Sequence, residues 1–126
     1  MKIEFRDGLL MTSISLTFRG SNLIIDGVVI DTGAAETLLS PEAVEGIGLV
    51  AEMGDTISSF YGVGGNFHSS FSKHVDRIKL GMVELKDVKI DFGVIDPSGR
   101  INGLLGLDLL MEVGAIIDLK NLTISV

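Results

Sequence analysis

A carboxylic acid, a hydroxyl and a glycine stand together at Asp31-Thr32-Gly33, directly after the apolar run Val28-Val29-Ile30. The β-branched run reads as a buried strand, and the three residues that follow it make the chain turn. A carboxylate is thereby delivered from a core strand. Burying an ionisable group without a partner is costly, so Asp31 is either a turn former or a reactive acid. Other candidates are scattered. A glycine-rich stretch, Gly62-Val63-Gly64-Gly65, lies in mid-chain, and Leu104-Leu105-Gly106 follows later. His68 and His74 fall in one predicted strand with no cysteine nearby, and read as surface or packing residues rather than metal ligands. Glu36 is either a charge that tunes a substrate pocket or a solvated charge at a helix entry.

The elements that must position Asp31 are read from alternation and punctuation. Ile14, Leu16 and Phe18 alternate with Ser13, Ser15 and Thr17 across Leu9 to Phe18, the period of a half-buried strand. Arg19-Gly20-Ser21-Asn22 predicts a turn, and Leu23 to Ile30 a second strand interrupted by a turn at Asp26-Gly27. Asp7-Gly8 predicts another turn. Ser40-Pro41-Glu42 predicts the start of a short helix with Ser40 as N-cap, stopping near Gly46 or Gly48. Thr56 to Tyr61 and Phe67 to Leu80 are two extended arms around the glycine-rich tip. Val83 to Ile95 is a strand whose inward face is Val83, Leu85, Val88, Ile90 and Phe92, with an irregularity near Lys86-Asp87. Asp96-Pro97-Ser98-Gly99 is a turn. Leu107 to Val113 is a short helix closed by Gly114, and two last strands, Ala115 to Leu119 and Leu122 to Val126, join at Lys120-Asn121. The early unit (strand, turn, Leu38-Leu39, helix) has a weak echo in the late one (strand, Gly106, Leu109-Leu110).

Composition sets the limits. The 126 residues amount to one domain, 1–126, large enough for a core. Sixteen glycines against two prolines suit short strands joined by tight turns. The absence of cysteine excludes disulfides and thiolate chemistry. Ten basic against seventeen acidic residues give a net charge of −7, which disfavours a nucleic-acid partner. No apolar run is long enough to span a membrane. The mixed charges of Met1 to Asp7 lack the apolar core of a signal peptide, so a cytoplasmic protein is expected.

Taken together, Val29-Ile30-Asp31-Thr32-Gly33-Ala34, the glycine-rich tip at 62–65 and Leu104-Leu105-Gly106 before a helix resemble a retroviral-type (retropepsin-like) aspartic protease, over roughly Ser13 to Val126. The order and combination are specific where Asp-Thr-Gly alone is not. The match leans to the cellular branch, similar to the retroviral-like domain of DNA-damage-inducible proteases, through Ser40-Pro41, Leu104 to Leu110 and Ile117-Asp118-Leu119-Lys120. Viral members usually carry an acid where this chain has Ala35 and an arginine where it has Leu107.

The resemblance implies an all-β, closed barrel with one or two short helices, homodimeric, with Asp31 at the base of a cleft under the hairpin tip. It also implies an endopeptidase without cofactor, acting on peptides. Hydrolysis in this class uses a water held between two aspartates, and this chain holds one Asp-Thr-Gly, which independently calls for a second copy. Thr32 is expected to hydrogen-bond across the dyad, and Gly33 to bring its N–H to the carboxylate. Tyr61, Gly62, Val63, Gly64 and Gly65 are expected to close over substrate. Ala34, Ile101 and Leu105 are expected to contact it, Val63, Ile101 and Leu105 lining apolar pockets. Ala34 stands where many single-chain relatives place a serine, so activity is expected to reach mildly acidic or neutral pH. The alternative is a catalytically silent, homodimeric peptide-binding module. The seam is expected at Leu122 to Val126, with help from Met1 to Phe5.

Overall fold

The computed structural model describes residues 1–61 and 67–126, and only the backbone of 60, 61, 67 and 68. Among the described residues ten strands and two short α-helices follow one another: β1 (Glu4–Arg6), β2 (Leu9–Phe18), β3 (Ser21–Ile30), β4 (Leu38–Leu39), α1 (Pro41–Val44), continued by a 3-10 turn (Glu45–Ile47), β5 (Ile57–Tyr61), β6 (Phe67–Leu80), β7 (Val83–Gly93), β8 (Gly103–Leu105), α2 (Leu107–Glu112), β9 (Ile116–Asp118) and β10 (Thr123–Ser125).

Eight strands hydrogen-bond in the order β1-β2-β3-β8-β4-β7-β6-β5, and an added β2–β6 pairing closes six of them into a barrel. Closure is possible because β2 and β6 are long enough to change partners along their length. The first half of β2 pairs with β1, and Ser15 to Thr17 pair with Arg77 to Lys79 of β6. Closing the ring leaves few bare edges. β9 and β10 form a separate hairpin. Among the described residues no helix is long and apolar enough to cross a membrane.

Alternation decides which side chains fill the barrel. Ile14, Leu16 and Phe18 of β2 point inward, as do Ile25, Val28 and Ile30 of β3, and Ile90 and Phe92 of β7. Phe71 and Phe92 stack with ring centroids 5.4 Å apart. The inward parity of both β6 and β7 changes midway: Phe71 and Val75 give way to Ile78 and Leu80, while Ile90 and Val88 give way to Leu85 and Val83. The register between the strands stays continuous, because each strand carries one extra residue at the same level, Asp76 on one and Asp87 (φ 51°) on the other. The irregularity expected at Lys86-Asp87 is therefore half of a paired one.

Two local expectations are corrected. Asp26-Gly27 is no turn: β3 runs through it, Gly27 takes φ 68°, and the opposing strand shifts register between Thr12 and Ile14. A bulge satisfies the same residues that a turn would. Ser40 precedes α1 in an extended conformation but makes no side-chain cap. Its carbonyl accepts the Ala43 N–H instead, at 3.2 Å. The Arg19-Gly20 hairpin turn, with both residues at positive φ (48° and 83°), and the Asp7-Gly8 turn are as expected.

Candidate active site

The Asp31 loop begins where β3 leaves the sheet. β3 and β8 run parallel with Val28, Val29 and Ile30 opposite Gly103, Leu104 and Leu105. β4, which follows the loop, returns on the other side of β8, with Leu38 opposite Leu104 and Leu39 opposite Gly103. The strand that enters the loop and the strand that leaves it thus flank β8. The two halves of the sequence echo are neighbours in one sheet.

Backbone hydrogen bonds fix the loop from below. Asp31 N–H donates to Leu105 O at 2.9 Å, Leu107 N–H to Ala34 O at 2.8 Å, and Asp108 N–H to Ala35 O at 3.1 Å. Within the loop, Ala34 N–H reaches Asp31 O at 3.2 Å, and Gly33 N–H reaches Asp31 Oδ1 at 2.9 Å. That last bond is the contact expected of Gly33. A Cβ there would lie 3.2 Å from the same carboxylate oxygen, so a side chain would crowd the acid. Asp31 itself is half-exposed, and Thr32 and Gly33 are exposed. The acid is thus held within its own turn at the end of a core strand and is open to solvent on one side.

A second clamp was not legible in the sequence. Thr37 is 1% exposed, and its Oγ1 donates to Asp108 Oδ1 at 2.7 Å while accepting Gly106 N–H at 3.0 Å. Thr37 N–H also donates to both Asp108 carboxylate oxygens at 3.0 Å. The partners lie 71 residues apart in the chain, and only the crossing of β4 past β8 brings them together. Gly106 completes the cradle. A Cβ on it would fall 2.6 Å from the Glu36 carbonyl carbon and 2.9 Å from Ala34 O, so the loop backbone occupies the space a side chain needs.

The remaining candidates divide. Ala34 and Ile101 are half-buried near the loop and the Asp96 turn. Leu105 does not line a pocket: its side chain is fully buried in the core, because alternation turns it inward, and its part at the site is the carbonyl that holds Asp31. Tyr61 ends β5, its backbone opposite Phe67, while Gly62, Val63, Gly64 and Gly65 lie outside the described residues. Glu36 is exposed beside the loop, and hydrogen bonding to Asp91 together with that neighbour's like charge holds its carboxyl above the usual value. Asp91 also accepts Ser72 Oγ at 2.6 Å. His74 is exposed and 3.3 Å from Asp87.

With this geometry in place, the comparisons with known proteins are direct. A model of the aspartyl protease family matches residues 14–109. A search of curated proteins finds no match. Among solved structures the chain is similar to a retropepsin-like aspartic protease from Rickettsia conorii, with 22% identity, TM-score 0.69, and coverage of 98% of this chain and 86% of that one. It is similar to EIAV protease complexed with the inhibitor HBY-793, with 23% identity, TM-score 0.63, and coverage of 90% and 95%. A third likeness is to the retroviral protease-like domain of Ddi1 from Leishmania major, with 18% identity, TM-score 0.59, and coverage of 92% and 87%. At these identities the structures speak for the fold, and the match over residues 14–109 speaks for the family. The chain has the retropepsin-like fold and belongs to the aspartyl protease family.

Proposed function

We propose that the protein is an aspartic endopeptidase whose active site forms between two copies of the chain, each contributing Asp31. The observation that carries this reading is the Asp31 carboxylate, presented half-exposed from a clamped loop with Gly33 N–H at 2.9 Å from Oδ1. One such carboxylate cannot act as acid and base at once.

Two carboxylates a few ångströms apart cannot both ionise fully, so the pair shares a proton. The ionised member takes a proton from the water held between them as that water attacks the scissile carbonyl carbon. The protonated member donates its proton to the carbonyl oxygen. Collapse of the resulting gem-diol expels the amine, which gains a proton as the C–N bond breaks, and no acyl-enzyme forms. Thr32 is exposed in the single chain; in this reading it bonds to the facing loop, and Ala34 and Ile101 flank an extended peptide.

The test is cleavage of an unbiased peptide library, read by mass spectrometry with and without a statine-type inhibitor, for the native chain and for Asp31→Asn. Inhibitor-sensitive cleavage that Asp31→Asn abolishes supports the reading. Peptide capture without cleavage by the native chain would replace it with a silent binding module.

A further inference from the structure

The outer face of β3 carries a row of residues that ends in the acid. Val28 and Ile30 point into the core, so alternation turns Val29 and Asp31 the other way. Met11 lies opposite Val29 on β2. Neither Met11 nor Val29 belongs to the barrel core, yet both are buried. Arg6 is part of their cover: it reaches across from β1, and its Nη2 donates to Met11 Sδ at 2.9 Å. A Cβ on Gly27 would lie 3.8 Å from the same nitrogen, so the guanidinium sits over β3 four residues before Asp31. The backbone beneath it is fixed. Arg6 pairs with Leu9, Thr12 Oγ1 donates to Lys2 O at 3.0 Å, and the Met1 ammonium donates to Ile124 O at 2.9 Å.

The charge around Arg6 runs against that of the chain. In a protein of net charge −7, an open cavity of about 640 Å³ is bordered by Lys2, Arg6 and Arg100, three of its ten cations. Two carboxylates border it as well, and neither satisfies Arg6. Asp26 is engaged with Ser13 Oγ at 2.6 Å, and Glu4 stands 3.7 Å from Arg6 Nη1 in an exposed pair, which is weak in water. The thioether that Arg6 does reach is a weak acceptor. Among the described residues the guanidinium therefore has no oxygen within hydrogen-bond distance, although its planar fork suits a carboxylate.

We propose that this cavity takes an acidic side chain of the bound peptide, with Arg6 as the residue that selects Asp or Glu and Lys2 and Arg100 as its charged rim. The inference rests on the endopeptidase reading. Four residues of strand span about 13 Å, and an extended peptide advances by the same roughly 3.3 Å per residue. A peptide that passes Asp31 and follows β3 therefore brings a side chain to Arg6 about three to five residues from the scissile bond. Each copy of the chain carries one such cavity, so the preference falls at that distance on both sides of the bond.

Matched peptides test this. The best-cleaved sequence of the library is made with Glu and with Gln at each position about three to five residues from the cut. The pairs are assayed at about pH 6 and low salt, where Glu is ionised and screening is weak. At one of these positions the native chain is expected to favour Glu over Gln by about fivefold in kcat/KM. Arg6→Met, which keeps an apolar stem over Met11, is expected to bring that ratio to about one, and Arg6→Lys, which keeps the charge, to restore part of it. Glu4→Gln removes the competing carboxylate and is expected to raise the ratio about twofold; it decides the matter if Arg6→Met does not fold. A native ratio near one at every position, or a ratio that neither Arg6→Met nor Glu4→Gln moves, overturns the carboxylate site and leaves the endopeptidase reading standing. A native chain that cleaves no peptide of the library removes both.

Discussion

β3 and β8 run side by side in the same direction, reach the same level and end in opposite ways. β3 ends in Asp31, whose carboxylate is held by Gly33 N–H and open to solvent. β8 ends in Gly106, where even a methyl group would meet the backbone of Glu36 and Ala34. One strand end delivers a functional group, and the other delivers the space in which the first loop sits. Position 106 is therefore closed to a second acid, and under the proposed two-carboxylate mechanism the partner acid comes from a second copy.

That contrast can be broken at several places. The largest effect is expected at the acid: Asp31→Asn should lower kcat/KM by on the order of 10⁴-fold or more. Its melting temperature should stay close to that of the native chain, because the amide oxygen still accepts the Gly33 N–H. Next comes Gly106→Ala. The new methyl would lie 2.6 Å from a backbone carbon, so the Asp31 loop must move. About 3 kcal/mol of stability should be lost by urea titration, with activity down about 10²-fold from misplacement of the carboxylate.

Thr37→Val sharpens the comparison by removing the hydroxyl that ties the two strand ends together. Gly106 N–H and Asp108 each lose a partner, and about 2 kcal/mol of unfolding free energy should be lost by urea titration. Thr37→Ser, which keeps the oxygen, should recover most of it.

The smallest effect is expected far from both strand ends. Lys73 is buried and reaches Glu52 and Asp55 on the loop before β5. Burial opposes its charge, but hydrogen bonds to the two carboxylates outweigh that and raise its pKa. Glu52 is lowered by hydrogen bonds from Lys73 and Arg19, and Asp55 by the Glu52 N–H and then Lys73. Carboxylates with depressed values stabilise the fold above their ordinary values of 4.5 and 3.8, and that contribution fades as pH falls through the lower folded values. The raised Lys73 value acts in the opposite sense, its contribution being complete below the ordinary 10.5 and lost as pH rises through the folded value. The stability gap between native chain and Lys73→Met, measured by thermal melts, should therefore be widest near neutral pH and narrow below about pH 4.

What the sequence reveals about these features depends on how far apart the cooperating residues lie. The alternation in β2, the parity change at Asp87, the Asp96 turn and the Asp31 strand end are local patterns, and each is readable from the residues around it. Thr37 with Asp108, and Met1 with Ile124, are separated by 71 and 123 residues, and no local pattern announces them. Asp26-Gly27 departs from its local pattern for the same reason. Its glycine serves a bulge opposite Thr12 and Ile14, whereas its local chemistry is that of a turn. Leu105 shows the limit of a motif, which marks the position but not whether side chain or carbonyl acts there.

The most direct test of a shared active site is a subunit-mixing titration. Native chain is co-refolded with increasing Asp31→Asn at constant total protein, and cleavage is expressed per native chain. If each site needs an Asp31 from both copies, only native pairs cleave, and activity per native chain falls in proportion to the native fraction, to about half in an equal mixture. Activity per native chain that stays constant as Asp31→Asn is added would mean that one chain suffices and would contradict the two-copy active site.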